Sequence, residues 1–350
     1  MTDLRPPLAA TAWAPVNIAL IKHWGYRSAV REGGDTDLPA RPSLSLTLEH
    51  GSTTTVTWRE QSDHQILLND TALVRTDGEK AAASFAFLEA VRQAAGLGAL
   101  RASVQAVSEV PLSAGFASSA AGGAALTVAA LDSAGLGDAT VQGRLHWCRQ
   151  LGSVSALRSL RGGVVRLDVN PEAPALTLGG VETALDLTVL GCLVQGKKKA
   201  VSSSAGHAQV TTSPYWAQFE RDARARLEQI VAGLEAGDLA RVGAIAEADA
   251  LAMHAVMLTS HPPIVYATDA TWRVWHEVIA WRRSGGDSPR GYCTLDAGPN
   301  PHVFCQRRDA DELARRLEAH PDVQKVFRSA VAPTGARSVP SSAPAERRAW

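Results

Sequence analysis

Neither sign of charge is in excess in this chain, where 35 Lys and Arg residues stand against 35 Asp and Glu. No global field therefore draws it to nucleic acid or to an anionic membrane surface, and any anion chemistry must come from local groups. Long hydrophobic runs are missing too: nothing approaches the roughly 18 to 20 consecutive apolar residues of a membrane span. The N-terminal MTDLRPPLAATAW lacks the basic stretch and long apolar stretch of a secretory signal. A cytoplasmic protein with no membrane partner is the expectation. Cysteine is scarce: Cys148, Cys192, Cys293 and Cys305 are scattered, without a CxxC pair or a His at ligand spacing. Free thiols are expected. The ten histidines form no HExxH-like cluster, which argues against zinc chemistry. What is present is an apolar fraction of 45% over 350 residues, ample for the core of two domains or one large one.

The first third alternates strand and turn patterns. TAWAPVNIALIKHWG, PSLSLTLEHGSTTTVTW and HQILLNDTALV carry Thr, Val, Ile and Leu near period two, separated by Gly and Asp/Asn turns. The spacing of Ala83, Phe85, Phe87, Leu88, Val91 and Ala95 predicts a helix from about Glu79 to Gly96, and LRASVQAVSEV predicts a strand after it. AAGGAALTVAALDSAGL and DATVQGRLHWCRQLGSVSALRSL read as helices, RGGVVRLDV and TALDLTVLGCLVQG as strands. From about Ser213 the chain turns to long amphipathic helices. A mixed sheet with segregated helices predicts an α+β fold in two halves, with a boundary near 185–195. The corresponding division is residues 1–190, residues 191–338 and a disordered polar tail at 339–350.

Between the strand and the Ala-rich helix lies PLSAGFASSAAGGAALTVAA, Pro111 to Ala130. Its small residues suit close packing of a helix on a sheet. They equally suit a phosphate, because a Gly/Ser loop that opens a helix presents free N–H groups and hydroxyls at the positive end of the helix dipole. No Lys follows the glycines, so it is not a Walker A loop. The loop alone does not decide between the two.

APVNIALIKHWGYR, PSLSLTL, PLSAGFASSAAGGAAL, GSVSALRSLRGGVV, MHAVMLTSHPPIVY and TLDAGPNPHVF, in this order and spacing, resemble the motifs of diphosphomevalonate decarboxylases. These are members of the galactokinase, homoserine kinase, mevalonate kinase and phosphomevalonate kinase (GHMP) superfamily. The resemblance runs from about residue 12 to residue 338. It implies a GHMP-kinase-like two-domain fold with an ATP-binding cleft between the domains, a homodimer, and a small-molecule mevalonate substrate used with ATP and Mg²⁺. Asp296 is implied as the base beside the 3-hydroxyl. Arg158 would hold the substrate carboxylate, a planar bidentate task that Lys serves poorly, and Lys22 and Asn17 would complete the catalytic set. Ser153, Ser155 and Ser203 would contact the substrate. Gly115, Ala117, Ser118 and Ser119 would receive the ATP phosphates, with Ser119 also on Mg²⁺, an ion that accepts oxygen ligands and keeps waters.

The chain also departs from that pattern. His23 and Tyr26 stand in KHWGY where the family usually reads KYWGK, and Ser204 stands where an arginine is expected. His23, Tyr26 and Arg161 are therefore assigned to substrate binding, with Arg27, Arg161 and Lys197 to Lys199 as replacements for the two missing cations. On that ground the expected reaction is ATP-dependent decarboxylation of mevalonate 5-phosphate to isopentenyl phosphate, favoured over the 5-diphosphate. The alternatives are a diphosphomevalonate decarboxylase proper, a 3-hydroxyl kinase that stops before decarboxylation, and a non-catalytic ATP-binding homologue.

Overall fold

The computed structural model describes residues 8–27, 38–112, 114–137, 141–151, 154–169, 176–179, 185–196, 201–286 and 288–340. The strands are β1 (Ala9–Ile21), β2 (Tyr26–Arg27), β3 (Leu38–Pro39), β4 (Ser43–Glu60), β5 (Gln65–Leu68), β6 (Thr71–Leu73), β7 (Leu100–Ser108), β8 (Val164–Leu167), β9 (Leu176–Thr177), β10 (Leu187–Leu193), β11 (Gly291–Thr294), β12 (His302–Gln306), β13 (Lys325–Ala330) and β14 (Arg337–Val339). The helices are α1 (Glu79–Ala94), α2 (Ser118–Ser133), α3 (Val141–Arg149), α4 (Ala156–Ser159), α5 (Ser203–Gln209), α6 (Trp216–Glu235), α7 (Leu239–Leu258), α8 (Asp269–Arg283) and α9 (Arg307–Glu318).

Two sheets organise the chain. The first runs β14-β1-β4-β7-β5-β6, with β8 and β9 continuing from β4; the second runs β11-β12-β10-β13. The long strands β1 and β4 pair antiparallel, with register breaks between Pro15 and Asn17 and between Ala19 and Ile21. Pro15 has no N–H for the ladder, and such breaks re-aim the side chains that follow. The expected helix near Glu79 is α1. The segment read as one helix after residue 138 is divided into α3 and α4, with turns at Gln150 and Leu151 and at Val154 and Ser155. The proposed boundary near 185–195 lies on β10, the inner strand of the second sheet, rather than on a linker. Val339, assigned to the tail, pairs with Thr11 on β1; residues 341–350 lie outside the described set.

α2 is buried on almost every face, from Ala120 to Ser133, which its Ala and Gly content permits by letting it lie close to β1 and β4. α6 buries Phe219, Ala223, Leu227, Ile230 and Leu234, one stripe at helical spacing. α7 buries a comparable stripe that includes two polar residues, Asp249 and His254. The sheets share a core: Ile18, Leu20 and Leu46 of the first pack in one cluster with Leu187, Val189, Phe304 and Phe327 of the second. They are also tied by hydrogen bonds, Thr294 Oγ1 donating to Ala19 O at 3.0 Å and the Glu49 N–H to Ser329 Oγ at 2.8 Å.

Gly243 marks the closest approach of α7 to β11. A Cβ there would lie 2.1 Å from the Tyr292 ring. Gly243→Ala, although it favours an isolated helix by about 1 kcal/mol, is expected to destabilise the fold by about 1–3 kcal/mol through overpacking. Thermal melting of the variant against wild type checks this.

Candidate active site

β1 ends at Ile21 and delivers Lys22 to the join of the two sheets. Its ammonium, 1% exposed, donates to Ala19 O at 2.8 Å and to Asp296 Oδ1 at 2.5 Å. Asp296 follows β11, so the pair spans both sheets. Burial lowers the Lys22 pKa from its usual 10.5, opposed by the Asp296 charge. Burial alone would raise the Asp296 carboxyl, but the positive charges around it, that of Lys22 foremost, outweigh burial and hold it below 3.8. Asp296 is therefore ionised at neutral pH. His254 Nε2 lies 3.3 Å from Asp296 O, and burial, helped by the charge of Lys22, brings this imidazole down to about 4. It stays neutral beside the pair.

Arg158 on α4 is 5% exposed. Its Nε donates to Asn17 Oδ1 at 3.0 Å and its Nη1 to Ser43 Oγ at 2.8 Å, while Asn17 Nδ2 donates to Ser159 Oγ at 2.8 Å and to Ser155 O at 3.1 Å. Asn17 therefore orients the guanidinium. Burial lowers the Arg158 pKa to about 10. Among the described residues no carboxylate lies within ion-pair distance of Arg158. A buried arginine without a counter-ion is a site for an anion.

The loop before α2 reaches the same place from the other side. Gly115 has φ 88 and Ala117, the residue before α2, has φ 52, a left-handed conformation that costs a non-glycine residue energy and aligns the first N–H groups of the helix. No side chain caps that end, so those N–H groups are available to an oxyanion. The DAGPN segment holds the loop in place. A Cβ on Gly298 would fall 2.7 Å from Gly115 Cα, so two glycine backbones touch where Asp296 meets the loop. Asn300, fully buried, accepts from the Val194 and Gln195 N–H groups at 2.7 and 3.0 Å and donates to Ala114 O at 2.7 Å. His302 Nε2 lies 3.0 Å from Gly115 O.

The structure thus brings Asn17, Lys22, Arg158 and Asp296 into one hydrogen-bonded or charge-coupled group and sets Gly115, Ala117, Ser118 and Ser119 against the segment that carries Asp296. Ser155 contributes its carbonyl oxygen to Asn17. His23 and Tyr26 gather with His207 of α5: His23 and His207 rings are 4.9 Å apart, and Tyr26 stacks on His207 at 4.3 Å. Ser203 starts α5, four residues before His207. Arg161 follows α4, and its buried Nε has no hydrogen-bond partner. Ser153 and Lys197 to Lys199 lie outside the described residues, as does the Arg27 side chain.

Four contributors were not found from the sequence. Lys80, at the start of α1, donates to Ser119 Oγ at 3.1 Å and so supplies the loop with the cation that its own sequence lacks. Asp249 accepts from the Lys22 N–H at 2.7 Å and from Arg41 Nη2 at 2.7 Å. Arg41 itself is fully buried. Gly298 forms the contact with Gly115. Asp249 had a legible signal, an acidic residue on the apolar stripe of a helix; Lys80 and Arg41 had none, because each acts far from its own motif.

One mixed and one antiparallel sheet with helices packed on them, and a glycine/serine loop opening a buried helix, define a GHMP-kinase-like protein. Residues 14–173 match the diphosphomevalonate decarboxylase-like N-terminal domain, and residues 189–347 match the mevalonate 5-diphosphate decarboxylase C-terminal domain. The diphosphomevalonate decarboxylase of Ganoderma lucidum is 31% identical over 334 residues, spanning 88% of this chain and 81% of the relative. That of Homo sapiens is 31% identical over 326 residues, spanning 87% and 78%. Among solved structures, the mevalonate diphosphate decarboxylase of Enterococcus faecalis superposes with a TM-score of 0.81 at 30% identity, covering 95% of this chain and 99% of that one. A structure described as MDDEF in complex with MVAPP, AMPPCP and magnesium does so at 0.83 and 31%, with the same coverage. The chain belongs to the diphosphomevalonate decarboxylase family, a family of ATP-dependent carboxy-lyases.

The Lys22–Asp296 pair has a measurable signature. In the native protein the depressed Asp296 pKa adds stability above pH 4 that is lost as pH falls through the folded value. Lys22→Met removes the charge that opposes burial, so the carboxyl pKa rises above 3.8 and folding then favours the protonated acid. Melting temperatures are expected to fall as the pH is lowered from 4 through the folded Asp296 value for wild type, and to fall less, or rise, for the variant over the same range.

Proposed function

We propose that the chain catalyses ATP-dependent decarboxylation of a 5-phosphorylated mevalonate, releasing ADP, phosphate and carbon dioxide and leaving an isopentenyl phosphate or diphosphate. The observation that carries this reading is the meeting, in one site, of an ionised Asp296 and a buried arginine that has no carboxylate at ion-pair distance among the described residues. A tertiary alcohol is a poor nucleophile and a poor leaving group, so it needs a base and then activation. ATP, with Mg²⁺, supplies the phosphoryl group that turns the 3-hydroxyl into a leaving group as the carboxylate departs.

Asp296 accepts or orients the hydroxyl proton, and its depressed pKa keeps it ionised across the physiological range. Lys22 keeps that carboxylate charged and fixes its rotamer. Arg158 receives the substrate carboxylate on the edge left free by Asn17 and Ser43, which places the C–C bond that breaks. The N–H groups at the start of α2, with Ser118, Ser119 and Lys80, suit the charge of a transferring phosphoryl group. Ser119 offers the hydroxyl oxygen expected on Mg²⁺, and Lys80, now bonded to it, would turn to phosphate oxygens.

The names of the relatives support mevalonate 5-diphosphate as the substrate, against the monophosphate preference drawn from the sequence. The monophosphate remains a second reading on one observation: His23 is neutral, because burial and the charges of His207, Arg158 and Arg41 hold its pKa well below 6.5, and Tyr26 brings no charge. A panel of mevalonate, its 5-phosphate and its 5-diphosphate, each with ATP and Mg²⁺, separates these. Equal amounts of ADP and carbon dioxide are expected from a phosphorylated substrate, with the larger kcat/KM for the diphosphate. A larger value for the monophosphate selects the second reading, and ADP without carbon dioxide rejects decarboxylation. Asp296→Asn should lower kcat by roughly 10²- to 10⁴-fold while ATP binding persists.

A further inference from the structure

Arg41 is the largest fully buried polar side chain described in the molecule, and the chemistry above does not use it. It stands in ARPSLS, between β3 and β4. Its place is set by β3, where Pro39 pairs with Tyr26 and the Ala40 N–H donates to Gly25 O at 3.2 Å. The guanidinium lies 3.6 Å from the centroid of the Phe219 ring. Only Nη2 is hydrogen-bonded, to Asp249 Oδ1; Nε and Nη1 are buried and have no partner. Asp249 is shared with Arg226 Nη1 at 3.1 Å, and Arg226 also meets Asp222 at 3.3 Å. Arg41 thus has only part of one counter-charge.

His23 raises the same question from the other side. Both its ring nitrogens are buried without a partner. It adjoins Lys22, whose N–H bonds the same Asp249 carboxylate that holds Arg41, and the charges of Arg41 and Arg158 both act on its ring. An unpaired buried donor costs free energy comparable to a lost hydrogen bond, and here Arg41 Nε and Nη1 and the one protonated ring nitrogen of neutral His23 are such donors. An oxyanion would satisfy them, accepting from Arg41 Nε and Nη1 and from the protonated nitrogen of His23.

We infer that Arg41 and His23 form the subsite for the phosphoryl group at the 5-position of the substrate, Arg41 supplying the positive charge that positions 26 and 204 do not carry. This rests on the reading of the site as one for a 5-phosphorylated mevalonate. It changes the assignment of the replacement cation from Arg161, whose side chain makes no hydrogen bond among the described residues, to a residue whose neighbour Ala40 is bonded to Gly25 of KHWGY. Asp249 then has two tasks, fixing Lys22 through its N–H and aiming Arg41, so the base and the distal phosphate contact share one anchor.

The test uses Arg41→Gln and His23→Phe in the full chain. KM for mevalonate 5-phosphate and 5-diphosphate is expected to rise about 10-fold or more in Arg41→Gln, with a smaller change in kcat and in KM for ATP, and to rise by less in His23→Phe. In parallel, calorimetric titration with inorganic pyrophosphate, with ADP saturating the nucleotide loop, should show binding to wild type that weakens in both variants. If the orphan nitrogens hold only water, KM and pyrophosphate affinity stay at wild-type values and the inference falls. It also falls if wild type binds no pyrophosphate, or if KM for ATP rises as much as KM for the mevalonate phosphate. Should Arg41→Gln not fold, Arg41→Lys keeps a charge but loses the Nε and Nη1 donors, so it and His23→Phe are each expected to weaken pyrophosphate binding, and wild-type affinity in both overturns the inference. A wild type that decarboxylates none of the three mevalonates overturns the proposed function instead, and the pyrophosphate titration still decides the subsite.

Discussion

Two opposite charges 2.5 Å apart at the join of two sheets, Lys22 fully buried and Asp296 largely so, are the constraint around which this molecule is arranged. Taking both out of water is costly, and such a pair returns that cost only when its geometry and remaining hydrogen bonds are complete. Lys22 meets the condition by also bonding Ala19 O, and its backbone N–H is fixed by Asp249. Asp296 meets it by sitting on a segment pinned by Asn300 and His302 to the glycine/serine loop. Shifting either sheet would break the pair, so the shared core between them and the pair itself enforce the same arrangement.

The loop and the aspartate are parts of one contact. Gly115 and Gly298 touch backbone to backbone, an approach closed to any residue with a Cβ. The strained Ala117 conformation persists because DAGPN braces the loop from behind, while the front carries the free N–H groups of α2. Close packing and an uncapped helix start that would suit a phosphate, opposed as explanations of the small residues, are thus compatible in one geometry. Close packing makes the loop rigid, and rigidity keeps the donors aimed.

Periodicity and composition made much of the fold legible. β1, β4, α1, α2 and the long helices α6 and α7 stand where alternation or a 3.6-residue stripe put them, because each buries one continuous face. The break between α3 and α4 was not legible, since the apolar spacing continues across the turns that divide them. Nor was the return of Arg337–Val339 to β1, a pairing across the length of the chain. The site divides along the same line. Asp296, Arg158, Lys22 and Asn17 were legible in motifs carried by contiguous residues.

By itself the sequence determined the family-like order of motifs, the lack of a global field, and the candidate residues proposed as base and carboxylate contact. Only the tertiary structure decided how those residues are tuned and completed. It lowers Asp296 by setting Lys22 against it, leaves Arg158 with no carboxylate at ion-pair distance among the described residues, brings Lys80 to a loop that has no lysine of its own, and leaves buried nitrogens of Arg41 and His23 without hydrogen-bond partners. The reason is physical: a side chain's chemistry is written in its own residue type, but its pKa and unmet hydrogen bonds depend on neighbours from distant parts of the chain, which no local pattern records.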